Sequence, residues 1–221
     1  MNMQVKSFFH PPSSTLTYVV HGDRSSSKAC AIIDPVLDYN PGSAGTSHAS
    51  ADAVLAYVTE RELNVGWILE THAHADHLSA APYIQAKVGG TIGIGEGICV
   101  VQETFKRFYE LEDEFACDGC QFDHLFKDGE TFHIGELEAQ VMSTPGHTPA
   151  CITYVIEDAA FVGDTLFMPD GGTARADFPG GDAATLYHSL SRILDLPDGH
   201  RIFVCHDYQP GGRELLCETT V

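Results

Sequence analysis

Four metal-ligating side chains fall within six positions of one another in the run Glu70-Thr71-His72-Ala73-His74-Ala75-Asp76-His77. The run follows directly on residues 65–69, an apolar segment that reads as a buried strand. Imidazole nitrogen and carboxylate oxygen are the donors that Zn(II) and Fe(II) prefer, and a loop at a strand end can aim several of them at one point. Ala73 and Ala75 are small enough to let His72, His74, Asp76 and His77 converge. A packed core has no other use for three imidazoles and a carboxylate at this density.

Three later segments repeat the device. Residues 143–149 (Ser-Thr-Pro-Gly-His-Thr-Pro) end a strand on a Pro-Gly turn that presents His147. Residues 161–166 end one on Gly163-Asp164, and residues 203–208 end one on His206-Asp207-Tyr208. Each alone reads as an ordinary turn. Together they describe four strand ends, each delivering a ligand-type residue.

The rest of the chain supports an α/β architecture. Strands are expected over 15–20 and 29–33, joined by a Gly/Asp/Ser turn, and over 65–69, 91–94, 137–142, 151–156, 159–162 and 201–205. Helices are expected over 51–63, where Val54, Leu55, Val58 and Leu63 recur near helical spacing, and over 77–88, 100–111 and 183–194. Residues 40–47 are Gly/Pro/Ser-rich and read as a loop, and 218–221 resemble the start of another strand. The order is β-rich, helical, β-rich, helical, which suits two sheets, each covered by helices. At 221 residues, one domain over 1–221 is expected.

Composition removes several classes of function. Twelve Lys and Arg stand against 31 Asp and Glu, a formal charge of -19, which repels nucleic acid and anionic membranes. The first twelve residues lack the apolar run of a signal peptide, and no 18-residue apolar stretch occurs, so neither export nor a membrane span is expected. Seven cysteines, an odd number without a dense framework, suit reduced thiols in a cytoplasm. Cys117-Asp118-Gly119-Cys120 lacks the second pair that a structural zinc needs. It sits in an acidic insert between Leu111 and Phe126 that could edge a substrate pocket.

The His-x-His-x-Asp-His run, then Pro145-Gly146-His147-Thr148, Gly163-Asp164 and His206, resemble the metallo-β-lactamase superfamily over essentially the whole chain. Residues 163–167, residues 172–178 (Gly-Thr-Ala-Arg-Ala-Asp-Phe) and His206-Asp207-Tyr208 are similar to its persulfide dioxygenase (sulfur dioxygenase) branch, related to the ethylmalonic encephalopathy protein. The resemblance implies a four-layer αββα sandwich with the metal at one edge. It implies one Fe(II) per chain on His72, His147 and Asp164, a facial triad that leaves three positions for a substrate sulfur and O2. His74, Asp76, His77 and His206 are then second-shell groups or ligands of a second metal.

The same resemblance implies that Arg175 stands near the substrate, where its fork could hold a carboxylate, with a plain ion pair to Asp177 or another acid as the alternative. Tyr208 either hydrogen-bonds an iron-bound ligand or fills the cleft wall. The implied reaction oxidises a thiol persulfide, glutathione persulfide, with O2 and water to sulfite and glutathione, in a cytoplasmic enzyme for which a homodimer is an open assembly.

The rival is a thioester hydrolase of the glyoxalase II type with two Zn(II) per chain. There His72, His74 and His147 take one metal, Asp76, His77 and His206 the other, and Asp164 bridges. That type carries a helical substrate domain beyond its last metal histidine, whereas 15 residues follow His206 here, which favours the dioxygenase.

Overall fold

The computed structural model describes residues 3–23 and 27–221; the turn expected between the first two strands falls partly on 24–26, outside the described residues. Alternation along the early strands sets the architecture. In β2 (Thr15–His21) and β3 (Ala29–Ile33), Leu16, Tyr18, Val20, Ala31 and Ile33 face one apolar layer, while Val19, Cys30 and Ile32 face another. A strand buried on both faces belongs to a sheet packed on both sides.

Among the described residues this first sheet has six strands in the order β1-β2-β3-β6-β8-β9, with β1 (Gln4–His10), β6 (Asn64–Leu69), β8 (Thr91–Gly95) and β9 (His124–Phe126). The first three pair antiparallel and the last four parallel. Parallel neighbours need crossovers, which α1 (Ala49–Glu60), α2 (Ala81–Val88) and α3 (Ile98–Phe108) supply. Their Val54, Val58, Ile84, Ile98 and Val101 cover the outer face.

The second sheet runs β10 (Thr131–Ile134), β11 (Leu137–Ser143), β12 (Ile152–Ile156), β13 (Ala159–Phe161), β14 (Arg201–Phe203) and β15 (Glu218–Thr220) in sequence order. In this sheet, among the described residues, only β13 and β14 pair in parallel, and α4 (Ala183–Leu194) makes that crossover. Asp182 caps α4 by accepting from Thr185 N at 2.7 Å. The two sheets share one core: Leu16, Tyr18, Ile33 and Leu69 meet Phe132, Val141, Tyr154 and Phe161. The result is the expected α/β, four-layer αββα sandwich.

Four expectations change. The helix expected over 77–88 starts at Ala81, because Leu78–Ser79 forms a short strand, β7, against Val36 and Leu37. The stretch read as a loop over 40–47 is half of a hairpin, β4 (Val36–Asn40) with β5 (Gly45–Ser47), which with β7 makes a small third sheet. The first helix stops at Glu60, where Glu62 takes a positive φ of 52°. Strands β1 and β9 lie outside the expected strands, β9 within the insert between Leu111 and Phe126. The strand start read over 218–221 is present and pairs with β14. No helix among the described residues is long and apolar enough to cross a membrane.

Candidate metal centre

The carboxyl ends of β6, β11, β13 and β14 all open at one edge of the sandwich, and each is followed by part of the site. β6 comes from one sheet and the other three from its partner, so the donors meet at the seam. Backbone bonds clamp that seam: Ile152 N donates to Thr71 O at 3.0 Å, and Leu16 N to Cys205 O at 2.7 Å. Gly146 and Gly163, just before His147 and Asp164, take positive φ of 136° and 53°. A Cβ at Gly146 would lie 2.4 Å from the Leu186 backbone, so only glycine admits this approach to α4.

Five imidazoles each hydrogen-bond through one nitrogen and leave the other free, which fixes the tautomer. His147 Nδ1 donates to Arg175 O at 2.8 Å, His77 Nδ1 to Leu78 O at 3.0 Å, and His206 Nδ1 to Ser14 O at 3.3 Å. The Thr71 hydroxyl donates to Asp34 Oδ2, so it accepts from His72 Nδ1 at 3.0 Å. His74 is turned the other way, its Nε2 donating to Asp34 Oδ1 at 3.1 Å.

The atoms left over converge. His72 Nε2, His74 Nδ1, His77 Nε2, His206 Nε2 and Asp164 Oδ1 are buried and without a hydrogen-bond partner. Orphaned donors of this kind are costly unless something binds them. Asp164 Oδ2 lies 3.6 Å from His147 Nε2 and 3.8 Å from His72 Nε2, and its Oδ1 lies 3.3 Å from His206 Nε2. The ligand atoms of His72, His147 and Asp164 form one group within 4.8 Å, and those of His74, Asp76 and His77 form another. Neutral imidazole and carboxylate at this spacing suit a divalent cation.

The electrostatics point the same way. Burial first, and the neighbouring imidazoles second, hold His72 well below the ordinary histidine range. The same causes, with His74 the neighbour, bring His77 down to about 3. Both keep lone pairs rather than protons. Burial raises Asp164 above the usual carboxylate range against the pull of His206 and His147. At His74 burial opposes the charge, but Asp34 and Glu70, the latter 3.5 Å away, outweigh it and raise the imidazole well above its ordinary value. A proton and a cation therefore compete for His74 Nδ1.

Arg175 and Tyr208 both line a cleft of about 310 Å³ over the donors, with Asp76, Phe167 and Phe178. The Arg175 guanidinium makes the alternative contact, a two-pronged pair with Asp177 at 2.5 and 2.8 Å, and lies 4.8 Å over the Phe178 ring. Tyr208 stacks on His206, ring centres 5.5 Å apart at 7°. Its hydroxyl is raised to about 12 by burial and then by Asp164 and Asp76. The Cys117 end of the insert lines a different depression with Glu103, Lys106 and Phe115, so it does not edge the metal cleft. Neither Cys117 nor Cys120 joins a metal-capable group among the described residues.

Sequence reasoning missed Asp34, Glu70 and the Ser13–Thr15 turn. Asp34 had a signal: it follows β3 directly, before Pro35, and reaches the same edge as the other ligand-type residues.

A two-sheet sandwich with a His/Asp metal site at the carboxyl ends of its strands defines a class of metalloenzyme scaffold. The chain belongs to the metallo-β-lactamase superfamily, whose model matches residues 10–206. It is 51% identical to a probable metallo-hydrolase of Burkholderia pseudomallei, over 99% of this chain and 77% of that one. It is 53% identical to glyoxylase B2 of Dictyostelium discoideum, over 88% of this chain and 67% of the relative. The mitochondrial persulfide dioxygenase ETHE1 of Homo sapiens is 33% identical over 92% of this chain and 68% of its own length. The crystal structure of ETHE1 from Myxococcus xanthus superposes with a TM-score of 0.73 at 30% identity, covering 98% of this chain and 79% of that one. The chain spans half the length of some other curated relatives that it matches.

Proposed function

We propose that the chain is an Fe(II)-dependent persulfide dioxygenase acting on glutathione persulfide, and that His72, His147 and Asp164 are the iron ligands. The observation that carries this reading is that their three ligand atoms lie within 4.8 Å of one another, all buried, at the foot of an open cleft. Two imidazoles and one carboxylate leave half of an octahedral sphere for substrate. The similarity to the ETHE1 relatives supports it.

Iron bound there would supply the affinity for a persulfide sulfur and the capacity to reduce O2. The chain's own residues do the rest. The Arg175 carbonyl holds His147 with Nε2 toward Asp164, and Asp34 and Thr71 hold His72 and His74 from behind. Phe167 and Phe178 give the cleft dry walls, and Arg175 places a cation at its rim for a substrate carboxylate, displacing Asp177. The overall change is GSSH + O2 + H2O → GSH + SO3(2−) + 2 H+, so the cleft must release protons.

One observation favours a second reading, the thioester hydrolase with two Zn(II). Asp164 presents its second oxygen to His206, and His206 Nε2 lies 3.5 Å from Asp76 Oδ2, so donors for a further ion are in place. The 51% identical probable metallo-hydrolase and the 53% identical glyoxylase B2 agree with hydrolysis.

The two are separated by purifying the protein without oxygen and counting iron and zinc per chain. Oxygen uptake with glutathione persulfide is then followed beside hydrolysis of S-lactoylglutathione. One iron with oxygen uptake is expected; two zincs with hydrolysis and no uptake would sink the dioxygenase.

A further inference from the structure

We propose that Cys117 and Cys120 form a redox-active dithiol site for an anionic low-molecular-weight disulfide: Cys117 attacks the disulfide, and Cys120 completes the exchange to a Cys117–Cys120 disulfide. The site lies outside the metal cleft, and nothing in it depends on the reading above.

The chain holds seven free cysteines, and burial sorts them. Cys30, Cys151 and Cys205 are buried, and burial before any other cause pushes Cys30 and Cys151 up to about 12 and holds Cys205 well above its ordinary value. Among the described residues Cys120 is the one exposed cysteine, and Cys117 is half-buried beside it.

The insert folds these two toward each other. Asp118 Oδ1 accepts from Cys120 N at 3.0 Å, and Gly119 takes a positive φ of 71°, so the chain reverses between the thiols. Gly119 N donates to Gln102 Oε1 at 3.0 Å and Gln102 Nε2 to Gln121 Oε1 at 2.7 Å, which ties the reversal to α3. The Asp118 carboxylate stands among the thiols. Hydrogen-bonded to the Cys120 thiol, it raises that group; at Cys99, in the first turn of α3, burial acts first, then Asp118 and Cys117.

A docking surface adjoins Cys117. The residue lines a depression of about 590 Å³ with Lys106, Arg107, Leu111 and Phe115. Phe115 O accepts from Lys106 Nζ at 2.8 Å and from Cys117 Sγ at 3.9 Å, so ammonium and sulfur converge on one carbonyl. The other Lys106 bond goes to Asp113 O at 3.0 Å, so its charge is held by carbonyls rather than by a carboxylate. Arg107 pairs with Glu103 across 3.3 Å at an exposed surface, where such a pair is weak. Glu103 and Asp113 also line the depression, which balances its charge on a chain whose formal charge is -19. Two neighbouring cations and a thiol select a ligand that carries carboxylates and sulfur together.

In the exchange the Cys117 sulfur forms an S–S bond to one sulfur of the ligand, whose own S–S bond breaks, and the first thiolate leaves. The Cys120 sulfur then bonds to the Cys117 sulfur, and the second thiolate leaves. The two departing thiolates take up the two protons that the cysteines give up. Two electrons pass from the protein to the ligand: two cysteine thiols become one disulfide, and one disulfide becomes two thiols.

The test treats the full chain with glutathione disulfide, alkylates the remaining thiols with iodoacetamide in denaturant and maps the peptides by mass. The wild-type protein should carry a Cys117–Cys120 disulfide, with the other five cysteines alkylated. Cys120→Ser should stop at glutathione on Cys117. Lys106→Ala should slow the modification of Cys117 about tenfold with glutathione disulfide and leave its rate with uncharged bis(2-hydroxyethyl) disulfide unchanged. A Cys117 that is still alkylated in both the wild type and Cys120→Ser, or first modification at Cys99 or Cys217, overturns the site. Equal slowing with both disulfides overturns the docking of an anion beside Lys106. These readouts are masses and rates of thiol modification, so they hold whichever metal the cleft binds.

Discussion

His147 donates its Nδ1 proton to the backbone carbonyl of Arg175 at 2.8 Å, while the guanidinium of Arg175 turns away to Asp177. One residue thus serves the metal site through its backbone and the cleft through its side chain. Arg175→Ala keeps the carbonyl, so metal content should stay at the wild-type level while KM for the persulfide rises roughly tenfold and kcat changes by less than about twofold. Elemental analysis beside steady-state kinetics checks this; loss of metal would show that the side chain holds the loop.

His147→Ala should bind no iron at the first site, because one of three ligands is gone and Asp164 Oδ2 loses its partner at 3.6 Å. His206→Ala separates the two readings. If His206 only orients its neighbours, one iron remains with affinity lowered about 10- to 100-fold. If it ligates a second ion, metal content falls from two per chain to one. Iron retained in His147→Ala would refute the triad.

The site was more legible in the sequence than the elements around it. His72, His147, Asp164 and His206 follow strand ends, where apolar runs stop at a Gly, a Pro-Gly or a ligand-type residue, and that local signal is independent of partners. The β4–β5 hairpin and β7 were illegible because two- to five-residue strands in polar sequence are fixed by pairing alone, as Val36 with Ser79 shows. The Thr15 hydroxyl gave no signal because its partner, Asp76, is 61 positions away and meets it only in the fold. Arg175 shows the opposite failure: the motif drew attention to the side chain, and the carbonyl makes the contact with His147.

Gly146→Ala should be the most damaging small substitution. Its Cβ would fall 2.4 Å from both Cα and N of Leu186, rigid helical backbone, at a φ of 136°. Relief requires moving α4 or the His147 turn, at about 2 kcal/mol or more. Thermal unfolding should show Tm lowered by roughly 4–8 °C, and metal affinity should fall with it because His147 is the next residue. An unchanged Tm would mean that the turn is looser than the packing implies.

Acid should weaken the link between the sheets at Glu130. Its Oε1 accepts from His124 Nε2 at 2.7 Å, and its Oε2 accepts from Lys127 N at 2.9 Å, tying β9 of one sheet to the turn before β10 of the other. Burial pushes the carboxyl up, but the Lys127 N–H and His124 outweigh it, and the net position is below the usual glutamate value. A depressed folded-state pKa contributes stability that is complete above the unfolded value of about 4.3 and is lost as pH falls through the folded one. Glu130→Gln should therefore cost on the order of 1 kcal/mol at pH 7 and unfold along a flatter curve between about pH 5 and pH 3. Denaturant midpoints measured on metal-free protein decide the point, since metal loss in acid then adds nothing to the slope; parallel curves for the two proteins would mean that this carboxylate does not couple the sheets.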